Sequence, residues 1–231
     1  MELVISYVKG TAPGKWFARM RERTDISFRS FESYDALADV ASGEATVALA
    51  RLVDATPPAS LDPYHVVILY EEQPGIAVPV DSELTLLDEI DAEDIAEEII
   101  TITAPDEQGV VDVAAVKQAL DVVGANVGVA RAPRPLLRSF NVKSCAHRDF
   151  RGGDPTKIAV IWKKEDDCEE IQEFIGITRG RTPRSTRQDS AAGEQKKRSA
   201  REKTRAKQQR RGQRPGAAAK RKGARRARKR R

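Results

Sequence analysis

Lys9-Gly10-Thr11 follows directly on an apolar run, residues 3–8, and is followed by Pro13, a residue at home in the first turn of a helix. A glycine turn between a strand and a helix start, flanked by an ammonium and a hydroxyl, suits a carboxylate ligand. The competing assignment is purely structural, with Thr11 as a helix cap and Lys9 as an exposed charge. Cys145-Ala146-His147 together with Cys168 contains metal-ligand and nucleophile residue types. Their spacing matches no zinc pattern, and Cys168 is expected on the inward face of a helix. Cys145 and His147, two apart on a strand, share a face whatever they do. The acidic run 88–98 could supply carboxylates for catalysis or calcium, against which stands the solvated face of a helix. Gly152-Gly153-Asp154-Pro155 reads as a turn before a strand, not as a phosphate loop. Nowhere do a nucleophile, an acid and a base converge. No catalytic residue, metal site or cofactor is therefore assigned, and the chain is not expected to be an enzyme.

The remaining chemistry is electrostatic. Of the 40 Lys and Arg residues 23 follow position 178, against 3 of the 35 Asp and Glu, so the last segment carries +20 and residues 1–178 carry −15. The modest overall charge of +5 conceals two opposed blocks. After Ile177 no Val, Ile, Leu, Met, Cys, Phe, Tyr or Trp occurs. Such a segment cannot bury enough apolar surface to offset the entropy of ordering it, so residues 179–231 are expected to form a disordered basic tail. Its strings "KKRSAREKTRAKQQRRGQRPG" and "AKRKGARRARKRR" would neutralise phosphates through Lys196, Lys197, Arg198, Arg210, Arg211, Lys220, Arg221, Lys222, Arg225 and Arg226. With no aromatic residue to stack on a base, the expected nucleic-acid binding is independent of sequence. The alternative is a tail that folds back on the acidic body. Two cysteines, no basic-apolar leader and no apolar run of membrane-spanning length point to a cytoplasmic protein with no membrane partner.

These groups have to be positioned by an α/β body. The spacing predicts strands at 3–8, 26–28 and 45–52, a helix after Pro13, and a second helix opened by Ser33 and closed by Gly43. This β-α-β-α-β order is the signature of a parallel sheet. Strands are expected at 65–70, 75–80, 99–103, 127–131 and 157–162, two short helices within 84–98, and a helix over 166–177. Val113, Val116, Leu120 and Val123 recur at helical spacing up to Gly124. A second set of strands and helices suggests two lobes, with ligands held at the carboxyl ends of the strands. The candidate positions are Lys9, Gly10 and Thr11 in one lobe, Thr103 after a strand of the other, and Arg131, which faces either the crevice or solvent.

The segments "APGKWFARMRERTDISFRSFES", "LADVASGEATVALARL", "PGIAVPVDSELTLLDEIDAEDIAEE", "VVGANVGVARAPRPLLRSF" and "KIAVIWKKEDDCEEIQEFIGI" occur in an order that resembles the effector-binding domain of LysR-type transcriptional regulators. The likeness spans residues 1–178. It implies a two-lobed, periplasmic-binding-protein-like fold, small polar residues of the first loop contacting an effector between the lobes, and homodimerisation. "VVGANVGVARAPRPLLRSF" corresponds to a glycine-rich turn, a strand and a Pro-bearing loop. Two departures stand out. The family's DNA-reading winged helix would precede the first strand, on which this sequence starts. Only about a dozen residues separate Thr103 from "VKQALDVVG", so the second lobe is expected to be trimmed. The function expected is regulatory ligand binding without catalysis, with the tail adding nucleic-acid affinity. The alternative is an interaction or structural protein with a vestigial cleft, whose tail binds RNA, a nucleoid or an acidic partner.

Overall fold

The run of apolar residues after Glu2 forms β1 (Leu3–Val8), buried along nearly its whole length as a strand covered on both faces must be. The computed structural model of the chain describes residues 2–53, 59–102 and 109–180. α1 (Gly14–Arg23) starts after Pro13 and turns Phe17 and Met20 into the core. β2 (Phe28–Ser33) and α2 (Ala36–Ser42) follow, and β3 (Val47–Leu52) closes the opening unit. Both β2 and β3 lie parallel to β1, with Ile5 opposite Ser30 on one side and Val47 on the other. Pairing of Val8 with Ser33 carries β2 five residues past the expected 26–28. Asp35, not Ser33, therefore caps α2: its carboxylate accepts from the Ala38 N–H at 2.9 Å, and Gly43 ends the helix at φ 83°.

β4 (Tyr64–Glu72) completes the outer edge of this first sheet, and the chain then crosses at Gln73 into β5 (Pro74–Pro79). β6 (Glu89–Ile90), β7 (Ile100–Ile102), α3 (Val113–Gly124), β8 (Val129–Pro133), α4 (Arg134–Phe140) and β9 (Cys145–Phe150) build the second lobe. Its sheet runs β6-β9-β5-β8-β7, with β5 antiparallel to both neighbours. The chain recrosses through residues 151–155. β10 (Thr156–Lys163) then inserts antiparallel between β3 and β4, giving the first sheet the order β2-β1-β3-β10-β4. α5 (Glu169–Thr178) packs on α1, with the Phe17 and Phe174 rings 6.3 Å apart, and Arg179 and Gly180 close it.

The apolar residues sort into three clusters. One joins α1 and α5 to the first sheet through Ile5, Met20, Leu49 and Phe174. Another fills the far face of the second sheet around Ile76, Ile90 and Ile95. The largest runs across both lobes, from Val4 and Leu52 to Leu120 and Leu136. The lobes thus share one core, and the two crossing segments are not their only link.

Three expected elements differ. The acidic segment is not a pair of helices: Glu83–Leu86 makes one 3-10 turn, β6 pairs with β9, and Asp91 accepts from the Glu93 and Asp94 N–H groups. Short acidic side chains compete with the helix for backbone donors, and like charges a turn apart repel. The Pro-bearing loop is instead α4, with Pro135 in its first turn, where a missing N–H costs nothing. Cys168 stands at the N-cap of α5, half-buried, instead of inside the helix. Thr103, the expected disorder of the tail and the ten basic tail positions from Lys196 to Arg226 lie outside the described residues.

Candidate anion-binding cleft

Parallel strands leave the loop after β1 at the boundary between the lobes. The Thr11 N–H bonds back to the Val8 carbonyl at 3.1 Å, and the turn this makes needs Gly10 at φ 87°. A Cβ on Gly10 would sit 3.0 Å from the Leu136 Cα and 3.1 Å from the Pro135 carbonyl oxygen. The glycine is thus also what lets this loop of one lobe lie against α4 of the other. Lys9 reaches Glu32 at 3.1 Å and lies 5.5 Å from the Phe140 ring centroid. It is therefore a paired, half-buried charge and not an exposed one. Thr11 caps nothing, because Pro13 occupies the N-cap of α1; the threonine is buried and its Oγ1 has no hydrogen-bond partner among the described residues.

The opposite wall is the first turn of α4. The Arg134 N–H donates to the Gln73 carbonyl at 3.0 Å, which fixes the helix start to the first crossing. The Arg134 guanidinium pairs with Asp149 through Nη1, while its buried Nε has no partner among the described residues. Arg138, four residues on, lies on the same face. Lys9, Gly10, Thr11, Glu32, Arg134, Pro135, Arg138 and Ser139 together line a cavity of about 420 Å³. Its lining holds three cations, of which Lys9 is paired with Glu32 and Arg134 with Asp149. Burial, followed by repulsion from Arg138 and Arg148, holds the Arg134 guanidinium below its ordinary pKa. Burial and then Arg134, Arg138 and Arg148 push His147 down in the same way. Unsatisfied donors under a positive potential are what an anion would complete.

The five positions expected to bind ligand do not all converge. Lys9, Gly10 and Thr11 share this cavity. Arg131 instead stacks on Phe150, its Cζ 4.3 Å from the ring centroid, and lines a separate cavity of about 160 Å³ near Pro74 and Thr156. Thr103 lies outside the described residues. Sequence reasoning missed Arg134 and Arg138, because the resemblance implied a Pro-bearing loop there. Arg-Pro-Leu-Leu-Arg as a Pro-started helix, with its arginines one turn apart, is the signal that could have found them.

The cysteines take no part. The Cys145 thiol lies 3.4 Å from the Leu120 carbonyl as a weak donor, and burial raises its pKa. Among the described residues no group of His, Cys, Asp or Glu is arranged to hold a metal ion, and no helix is long and apolar enough to cross a membrane.

No protein-family model matches the sequence, and no curated protein matches it either. Solved structures do match. The BenM effector-binding domain with its effector benzoate is 13% identical, with a TM-score of 0.56 over 84% of this chain and 95% of that one. The OxyR regulatory domain from Pseudomonas aeruginosa is 15% identical, with a TM-score of 0.53 over 83% of this chain and 99% of that one. CbnR, a LysR family transcriptional regulator, is 13% identical with a TM-score of 0.57, covering 77% of this chain and 68% of its own. With two mixed sheets and a last strand returned to the first lobe, the body has the two-lobed, periplasmic-binding-protein-like fold of the effector-binding domains of LysR-type regulators.

Proposed function

We propose that the chain is a non-catalytic, cytoplasmic regulatory protein in which residues 1–178 bind a small organic anion between the lobes and residues 179–231 hold nucleic acid without reading its sequence. The observation that carries the ligand reading is the pair of buried, unpartnered polar atoms, Thr11 Oγ1 and Arg134 Nε, at a cavity that Arg138 also lines. Leaving such atoms unsatisfied costs about 1–3 kcal/mol each, which a carboxylate that shifts the lining enough to reach them would return. The likeness to a domain whose effector is benzoate supports the same ligand class. Homodimerisation belongs to the proposal on the strength of that likeness. The supporting case for the tail is its charge of +20 without an aromatic residue.

The test is calorimetric titration of the full chain with benzoate, succinate and inorganic phosphate at fixed ionic strength. At least one carboxylate should bind, and Arg138→Ala should weaken it by about ten-fold, the equivalent of a charge-assisted hydrogen bond. If none of the three binds, the ligand reading falls, and the vestigial-cleft alternative takes its place.

A further inference from the structure

Arg51 is among the largest side chains with no exposed surface, and it stands next to the end of an otherwise apolar strand. A buried ion pair is a poor way to stabilise a fold, since apolar residues of the same size usually do as well or better. The partners suggest another reason for it. Nε and Nη2 bind the Glu72 carboxylate at 2.5 and 3.2 Å, and Nη1 donates to the Lys9 carbonyl at 3.1 Å. The Arg51 carbonyl in turn accepts from the Val111 N–H at 3.1 Å, just before α3 in the second lobe.

Each of those partners occupies a distinct place in the fold. Glu72 is the last residue of β4, one step before the first crossing. Its Oε2 also accepts from the hydroxyl of Thr156, the first residue of β10 after the second crossing, at 3.4 Å. Lys9 begins the loop that carries Gly10 and Thr11 to the cavity. A single guanidinium therefore ties together both crossings and the ligand loop, while its own backbone holds the second lobe. Neither Arg51 nor Glu72 lines the cavity.

We propose that Arg51 is a positioning residue: with Glu72 and Thr156 it clamps the 9–11 loop to the two crossings, so that the loop and the angle between the lobes move together and set the affinity for the anion without touching it. The inference rests on the anion reading of that cavity. The guanidinium suits the task because its donors are fixed in a planar fork that can serve three acceptors at once, which an ammonium cannot do with the same geometry.

Two variants of the full chain test it. Arg51→Lys keeps the charge opposite Glu72 but gives up the fork. The double variant Arg51→Met with Glu72→Met removes the pair without leaving a lone buried charge, so the fold should survive. In both, benzoate affinity should fall by about ten-fold at an unchanged unfolding midpoint for the double variant. Hydrogen exchange of the 9–12 amides should rise by about the same factor relative to the β1 amides. A merely structural residue would not loosen this loop selectively. Either readout staying at the wild-type level in both variants overturns the proposal. If the wild-type chain fails to bind benzoate, the anion reading falls on its own, and the exchange of the loop amides still decides whether Arg51 positions it.

Discussion

Thr11 and His147 face the same local conflict from opposite sides. Thr11 buries a hydroxyl that the protein leaves without a partner. Thr11→Val keeps its shape and removes the unsatisfied group, so urea unfolding should show stability unchanged or raised by about 1 kcal/mol, while benzoate binding weakens. His147 is held neutral by burial and by Arg134, Arg138 and Arg148. Its depressed pKa means that the unfolded chain takes up a proton the folded chain refuses. The stability it contributes is therefore full above pH 6.5, the ordinary value, and is lost as pH falls below it. An anion in the cavity relieves the repulsion and should move the His147 titration upward. An NMR titration of its ring protons with and without saturating benzoate measures this; an unmoved midpoint would speak against an anion beside Arg134 and Arg138. At this scale the sequence placed Lys9, Gly10 and Thr11 together on the turn after β1, because a glycine after an apolar strand marks a turn. It was silent about Arg51 and Glu72. A charged residue in a strand ordinarily marks an exposed face, and only the third dimension reveals that these two charges meet.

Secondary structure was legible wherever period and caps agreed. Val113, Val116, Leu120 and Val123 of α3 are all buried, and the opening β-α-β-α-β unit formed a parallel trio of strands. Legibility failed where local chemistry opposed the pattern. Leu84, Ile90 and Ile95 suggested helices, yet the aspartates between them bind backbone donors and the isoleucines belong to the core of the second sheet. α4 was missed for the opposite reason, since the segment assigned by resemblance to a Pro-bearing loop starts a helix with Pro135 in its first turn. Caps carry measurable weight here. The Asp112 carboxylate accepts from the Ala115 N–H at 2.9 Å at the start of α3, next to the Val111 that joins Arg51. Asp112→Ala should lower stability by about 1 kcal/mol in urea unfolding, with the anion affinity following if the 109–111 segment loosens.

The whole molecule sets a body of −15 against a tail of +20. If the tail is the nucleic-acid arm, binding of labelled duplex DNA by the full chain should weaken steeply with salt, as each phosphate neutralised contributes a slope of about −0.9 in log–log form. Replacing Lys196, Lys197, Arg198, Arg210, Arg211, Lys220, Arg221, Lys222, Arg225 and Arg226 with Gln should flatten most of that slope in fluorescence anisotropy while benzoate binding in the cleft persists. A slope unchanged by the ten replacements would move the nucleic-acid contact away from the tail. Two-lobed architecture was readable from the order of the elements. The shared core was not, because contact between lobes leaves no periodic trace in either one.

The position of β10 governs how the protein comes into being. It emerges from the ribosome after every other strand among the described residues, yet its place is inside the first sheet, between β3 and β4. The second lobe, continuous from Pro74 to Phe150, can be finished during synthesis. The first lobe must wait, with two strand edges open, for its final member. A nascent chain halted before Thr156 therefore exposes a template for pairing with other strands, and the cleft does not exist until the last eighth of the body has been translated and threaded home.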